Sequence, residues 1–148
     1  MLLILFLTLA GALPALAQSD RWDRQVDSAA ARAGQALATQ GYRPAGKSHR
    51  GDLFAGETAT ITIPLAPETA YAVVGVCDDD CEDLQLVLVS TTRYEVDADR
   101  RGTVVPIVRT TSADGGIYHV NVTMAACRVS PCRYEIVVLA RPSPRSRQ

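Results

Sequence analysis

Tyr118-His119-Val120-Asn121-Val122-Thr123-Met124 alternates apolar and polar side chains without a break. A period of two puts Tyr118, Val120, Val122 and Met124 on one face of a half-buried strand. His119, Asn121 and Thr123 fall on the other face. Gly115-Gly116 supplies a tight turn just ahead of it.

The same period extends outward on both sides. Ile61 and Ile63 alternate with Thr60 and Thr62, and Leu84, Leu86 and Leu88 alternate with Gln85, Val87 and Val89. Tyr71 to Cys77 is a nearly continuous, valine-rich apolar run that suits a central strand. Val104 to Val108 reads as a strand that Pro106 places at an edge or bulge. Tyr134 to Leu139 closes the set, and shorter strands are expected near Ser48–Leu53 and Arg93–Val96. About eight strands with turns between them make an all-β, antiparallel sandwich over residues 46–140.

Ahead of the strands the period is helical. Trp22, Val26, Ala29, Ala33 and Leu37 recur at three- and four-residue steps, which predicts one helix over 19–40. Ser19 is the expected cap and Gly41 the expected stop. Residues 18–45 are this helix and a linker. An alanine-rich stripe implies shallow burial, so the helix is expected at an edge of the domain or on a partner.

Residues 1–17 read as a secretory signal: Leu2 to Leu9 is almost unbroken apolar sequence, and Ala15-Leu16-Ala17 offers small residues for cleavage. The only positive charge before the apolar run is the terminal amine. The expected mature chain starts at Gln18, has no membrane span and is secreted or periplasmic. Residues 141–148 read as a disordered, basic Pro/Ser tail. A net charge of −1 gives no global basic surface for nucleic acid.

Four cysteines in an exported chain imply two disulfides. Cys77 with Cys81 and Cys127 with Cys132 are the favoured pairs, because each is local and lies at strand ends. The competing reading is one zinc site of all four, with C-x3-C and C-x4-C spacings.

The first cysteine pair opens the acidic run Cys77-Asp78-Asp79-Asp80-Cys81-Glu82-Asp83. A hard cation takes six to eight oxygens. Asp78, Asp80 and Asp83, with Asp97 and Asp99 from the next turn, are therefore candidate calcium ligands. The competing reading is a solvated acidic turn that aids solubility and blocks edge pairing. His119, Asn121 and Thr123 form a candidate binding face or simply the wet side of a sheet. No nucleophile elbow or catalytic constellation is present, and Arg50-Gly51-Asp52 and Asn121-Val122-Thr123 match short motifs that arise readily by chance.

The run Ala70 to Asp78, followed by Cys81, Asp83, Leu84 and Leu86, resembles the bacterial pre-peptidase C-terminal domain family. So do Asp97 and Asp99, the segment Gly116-Ile117-Tyr118-His119-Val120, and the closing Cys127, Pro131, Cys132, Arg133 and Tyr134. The resemblance covers residues 46–140. It implies a jelly-roll-like sandwich that serves secreted hydrolases as an accessory in export, attachment or inhibition, with calcium bound in some relatives. Where the family often has Asp-Leu-Asp-Leu, this chain has Asp83-Leu84-Gln85-Leu86, one carboxylate fewer. The expected function is an exported, non-catalytic binding or accessory domain. Its expected partner is a protein or polysaccharide at the cell exterior. The alternatives are a structural or inhibitory partner of a secreted hydrolase, and a hydrolase with a divergent site.

Overall fold

The computed structural model describes residues 15–142. The secretory signal falls mostly, and the basic tail mainly, outside them. Nine antiparallel strands follow one helix. The helix α1 is Ala15–Ala38, and the strands are β1 (Arg43–Pro44), β2 (His49–Leu53), β3 (Thr58–Leu65), β4 (Thr69–Cys77) and β5 (Cys81–Val89). They continue with β6 (Glu95–Thr103), β7 (Ile107–Ser112), β8 (Gly116–Cys127) and β9 (Cys132–Pro142).

The strands form two sheets. One runs β9-β4-β7, with β1 and β2 both paired to the outer edge of β9; the other runs β3-β8-β5-β6. From β2 onward every connection crosses between sheets except the β5–β6 hairpin. That order, 2-9-4-7 facing 3-8-5-6, is a jelly roll. The all-β sandwich with one N-terminal helix is thus the architecture that the alternation implies.

The main core lies between the sheets. Leu84, Leu86 and Leu88 of β5 meet Tyr71 and Val73 of β4 and Ile136 and Val138 of β9. Val120, Val122 and Met124 are fully buried, on the face that the alternation at 118–124 assigns to them.

A second apolar layer lies on the far side of β4. Its alternate residues Ala70, Ala72, Val74 and Val76 join Leu139 of β9 against Val26, Leu37 and Tyr42. Helix α1 therefore covers the outer face of the central strands and is not a peripheral element at an edge. The small side chains that suggested shallow burial do the opposite. Ala29, Ala30 and Ala33 let the helix axis come close to Ala70 and Ala72. Burying Val26 and Leu37 contributes about 1.5–3 kcal/mol each.

Three boundaries differ from expectation. Ala15-Leu16-Ala17-Gln18 are good helix formers, so α1 starts ahead of Ser19, which lies inside it and is no cap. At the other end Gly41 adopts φ 86°, and the Tyr42 N–H returns to the Leu37 carbonyl at 3.2 Å, closing the helix as expected. The strand expected over Val104–Val108 does not exist as one piece. Pro106 separates β6 from β7, and Val104 and Val105 lie exposed in the crossover between sheets. Arg43 and Pro44, expected in a linker, pair with Ala140 and Leu139.

Candidate functional site

Both disulfides lie at one end of the sandwich. Cys77 ends β4 and Cys81 begins β5, so their bond joins the two sheets; Cys127 of β8 and Cys132 of β9 do the same. Cys81 and Cys127 are also neighbours across the β5–β8 ladder. The two cysteine loops are bonded to each other. The Arg128 N–H donates to the Asp80 carbonyl at 2.7 Å, and the Arg128 guanidinium reaches Asp80 Oδ1 at 2.9 Å. No cysteine is free for zinc.

The five candidate calcium ligands do not converge. Asp78 is buried and organises its own loop: its carboxylate accepts the N–H of Asp80 at 3.1 Å and of Arg133 at 2.7 Å. Burial pushes its carboxyl above the usual range, partly offset by those N–H groups. Asp80 is paired with Arg128. Asp83 accepts the Gln85 amide at 3.2 Å, and its Oδ1 is enclosed without a protein partner among the described residues. Asp97 and Asp99 face the edge of the other sheet instead. Asp97 accepts the Arg109 N–H at 2.7 Å, and Asp99 accepts the Ile107 N–H at 3.0 Å. Asp99 also holds Arg101 at 2.8 and 2.7 Å, and that guanidinium above all draws its carboxyl down to about 2. Among the described residues no three His, Cys, Asp or Glu side chains gather around a point that would hold a metal ion. The calcium site expected from these acids is therefore not assembled. Local donors already occupy most of the carboxylate oxygens that a cation would need.

His119, Asn121 and Thr123 do share a face, as the alternation requires. The register of β3 against β8 sets Thr62, Thr60 and Thr58 opposite them in order. Each pair is hydrogen-bonded: Thr62 to His119 Nδ1 at 3.2 Å, Thr60 to Asn121 Oδ1 at 2.8 Å, and Thr58 to Thr123 at 2.7 Å. Gln85, Val87 and Val89 continue the three rows on β5. A shallow hollow of about 280 Å3 lies on this face, lined by Thr60, Val89, Arg93, His119 and Asn121. Arg93 enters from the β5–β6 turn, where φ is 65°. The adjacent Tyr94 is exposed. The alternation in the sequence marks neither the threonine ladder nor Arg93 as part of this site. Thr60 and Thr62 alternate visibly in the sequence, but only the register brings them beside His119 and Asn121.

An ion network pins α1 to the sandwich. Arg50 reaches Asp23 at 3.3 Å, Asp27 at 2.6 Å and the buried Glu135, while Arg133 bridges Asp23 at 2.7 Å and Asp52 at 2.9 Å. The Arg133 guanidinium is the main influence holding the Asp23 carboxyl below its usual range. Arg50 and Asp52 are thus engaged within the fold, on a strand, and do not form an adhesion loop. Neither histidine has a carboxylate within hydrogen-bonding distance among the described residues.

No family model matches the chain, and no curated protein does. No helix among the described residues is long and apolar enough to cross a membrane. Two closed disulfides fit maturation in an oxidising compartment.

Proposed function

We propose that the chain is a secreted or periplasmic, non-catalytic binding domain that works through the outer face of the β3-β8-β5-β6 sheet. One observation carries the reading. Helix α1 seals the outer face of the opposite sheet, whereas among the described residues nothing covers this face, which carries ordered polar rows. Hydroxyl, amide and imidazole groups held by cross-strand bonds are prepared to exchange hydrogen bonds with a hydroxyl-rich ligand at small entropic cost. Val87 and Val89 provide an apolar strip, and Tyr94 offers an aromatic surface for a sugar ring. The favoured ligand is therefore a polysaccharide at the cell exterior. The sequence resemblance of residues 46–140 to pre-peptidase C-terminal domains implies export, substrate attachment or inhibition, and the second of these agrees with this reading.

Co-sedimentation with insoluble polysaccharides (peptidoglycan, chitin, cellulose) tests it. The wild-type protein is expected in the pellet with at least one of them. The H119A/N121A/T123A variant is expected in the supernatant while still unfolding cooperatively, with a melting temperature lowered only by the loss of three exposed cross-strand pairs, about 0.2–1 kcal/mol each. Equal sedimentation of the two, or none by either, overturns the assignment of this face.

A second reading, a protein partner of a secreted hydrolase, is favoured by Val104 and Val105. Both are exposed beside Asp79 at the disulfide end and present a small apolar patch.

A further inference from the structure

A separate site lies at the open side of the sandwich, between β1 and β2 of one sheet and β3 of the other. Strands β1 and β2 both pair with β9, but the ladder is interrupted between them. Pro44 stands opposite Leu139 and His49 opposite Ile136, so four residues, 45–48, span two positions of β9, Val137 and Val138. The surplus chain turns at Gly46, which takes φ 80°, while the Ala45 N–H returns to the ladder at 2.8 Å from the Val138 carbonyl. The sheet edge is thereby opened into the space between the sheets.

The opening is a cleft of about 420 Å3. Ile63, Tyr71 and Val138 of the main core line it. The Tyr71 ring is fixed, because its hydroxyl accepts the Ala66 N–H at 2.9 Å. His49 lies on the inward-facing side of β2, with Leu53, and lines the same cleft. Lys47, the only lysine of the chain, stands exposed at its mouth. No carboxylate is among the lining residues, although the chain carries 16 acids. An apolar interior with a cationic mouth and no acid is complementary to a ligand that is apolar at one end and anionic at the other.

We infer that this cleft binds a free alkyl carboxylate of medium chain length, its chain against Ile63, Tyr71 and Val138 and its carboxylate at Lys47 and His49. The cleft meets the His119 face only at Thr62 of β3, which lines its rim and bonds His119, and its apolar interior does not depend on the function proposed for that face. The volume is at the lower end of small-molecule sites, which favours a single short chain over a lipid with two.

Amide NMR titrations of the full chain at neutral pH, with octanoate, octanol and acetate, test the inference. Octanoate is expected to shift the amides of Gly46, Lys47, His49 and Val138 saturably, and to leave Asp79 and Asn121 unmoved. Acetate lacks the chain and octanol the charge, so each is expected to bind more weakly. Lys47→Ala is expected to weaken octanoate about tenfold, the worth of one charge-assisted hydrogen bond, and Lys47→Arg to restore it. Lys47 is exposed, so neither variant should disturb the fold. Octanol binding as tightly as octanoate, K47A binding like the wild type, or shifts centred elsewhere would overturn the inference.

Discussion

Asp99 accepts the backbone N–H of Ile107 at 3.0 Å, across the gap between the two sheets. Asp97 does the same for Arg109 at 2.7 Å. Strand β7 is the last in its sheet and β6 the last in the other, so these N–H groups have no strand beside them. Two carboxylates take the place of a neighbouring strand, which closes an edge that otherwise invites pairing with another chain. Replacing Asp99 by Ala leaves the Ile107 N–H unpaired and frees Arg101. The expected loss is about 2–3 kcal/mol in urea unfolding, the usual range for a hydrogen bond to a buried charged group. A loss no larger than that of an exposed Asp79→Ala control would show that the edge is sealed in another way.

The same carboxylate sets a pH dependence. Asp99 titrates at about 2 in the folded chain against an ordinary 3.8, chiefly because of Arg101 and then the Ile107 and Arg101 N–H groups. Between these values the unfolded chain binds the extra proton. The stabilisation from Asp99 is therefore complete above about pH 4 and is lost as pH falls toward 2. Asp78 works in the opposite direction, since burial raises its carboxyl and protonation relieves that cost. The expected result is a stability difference between wild type and Asp99→Asn that is constant from pH 7 to about pH 5 and narrows below pH 4. A difference that stays flat to pH 2 would remove the charge from the explanation.

Helix α1 is expected to be indispensable. Its removal would strip the cover from Ala72, Val74 and Val76, which are fully buried, and from Leu139. Deleting residues 18–43 should give a chain that binds a hydrophobic dye and elutes as an aggregate in size-exclusion chromatography. The milder Leu37→Ala should fold but lose about 3 kcal/mol, within the range for a buried leucine. A monomeric, cooperatively unfolding truncation would show that the helix only rests on the sheet.

The run Tyr71 to Cys77 explains how much of this was legible. Its unbroken apolarity marks a strand buried on both faces. One face belongs to the sandwich core, and the other needs a cover that only the amphipathic segment before it supplies. The helix stripe and the run were both readable; their union was not, because alanine at Ala29 and Ala33 reads as little burial until Ala70 and Ala72 are seen opposite. The disulfide pairs were readable because each lies within one short loop at strand ends. The roles of Asp97 and Asp99 were hidden for a different reason. A run of acids carries no register, and the shift between Leu88 and Val89 in the β5–β6 ladder helps decide which of them face β7.

The acidic loop yields the last prediction. Repulsion among Asp78, Asp79, Asp80, Glu82 and Asp83 would favour a bound cation if nothing else opposed it. The structure supplies the opposition itself: backbone N–H groups at Asp78, Arg128 at Asp80, and a disulfide that closes the loop. By chain entropy a loop this short contributes only about 2 kcal/mol, so the disulfide acts as a local clamp. A ligand raises the melting temperature only if it binds the folded state better than the unfolded one. Millimolar calcium is therefore expected to leave the melting temperature where sodium chloride of equal ionic strength leaves it. Arg128→Ala removes the one guanidinium that neutralises Asp80, and should lower stability most at low salt, where like charges are least screened. Calcium should not rescue it, because the remaining carboxylates still fail to converge. A calcium-specific rise in either protein would mean that the loop rearranges to gather its acids, and that the arrangement seen here is the one the cation displaces.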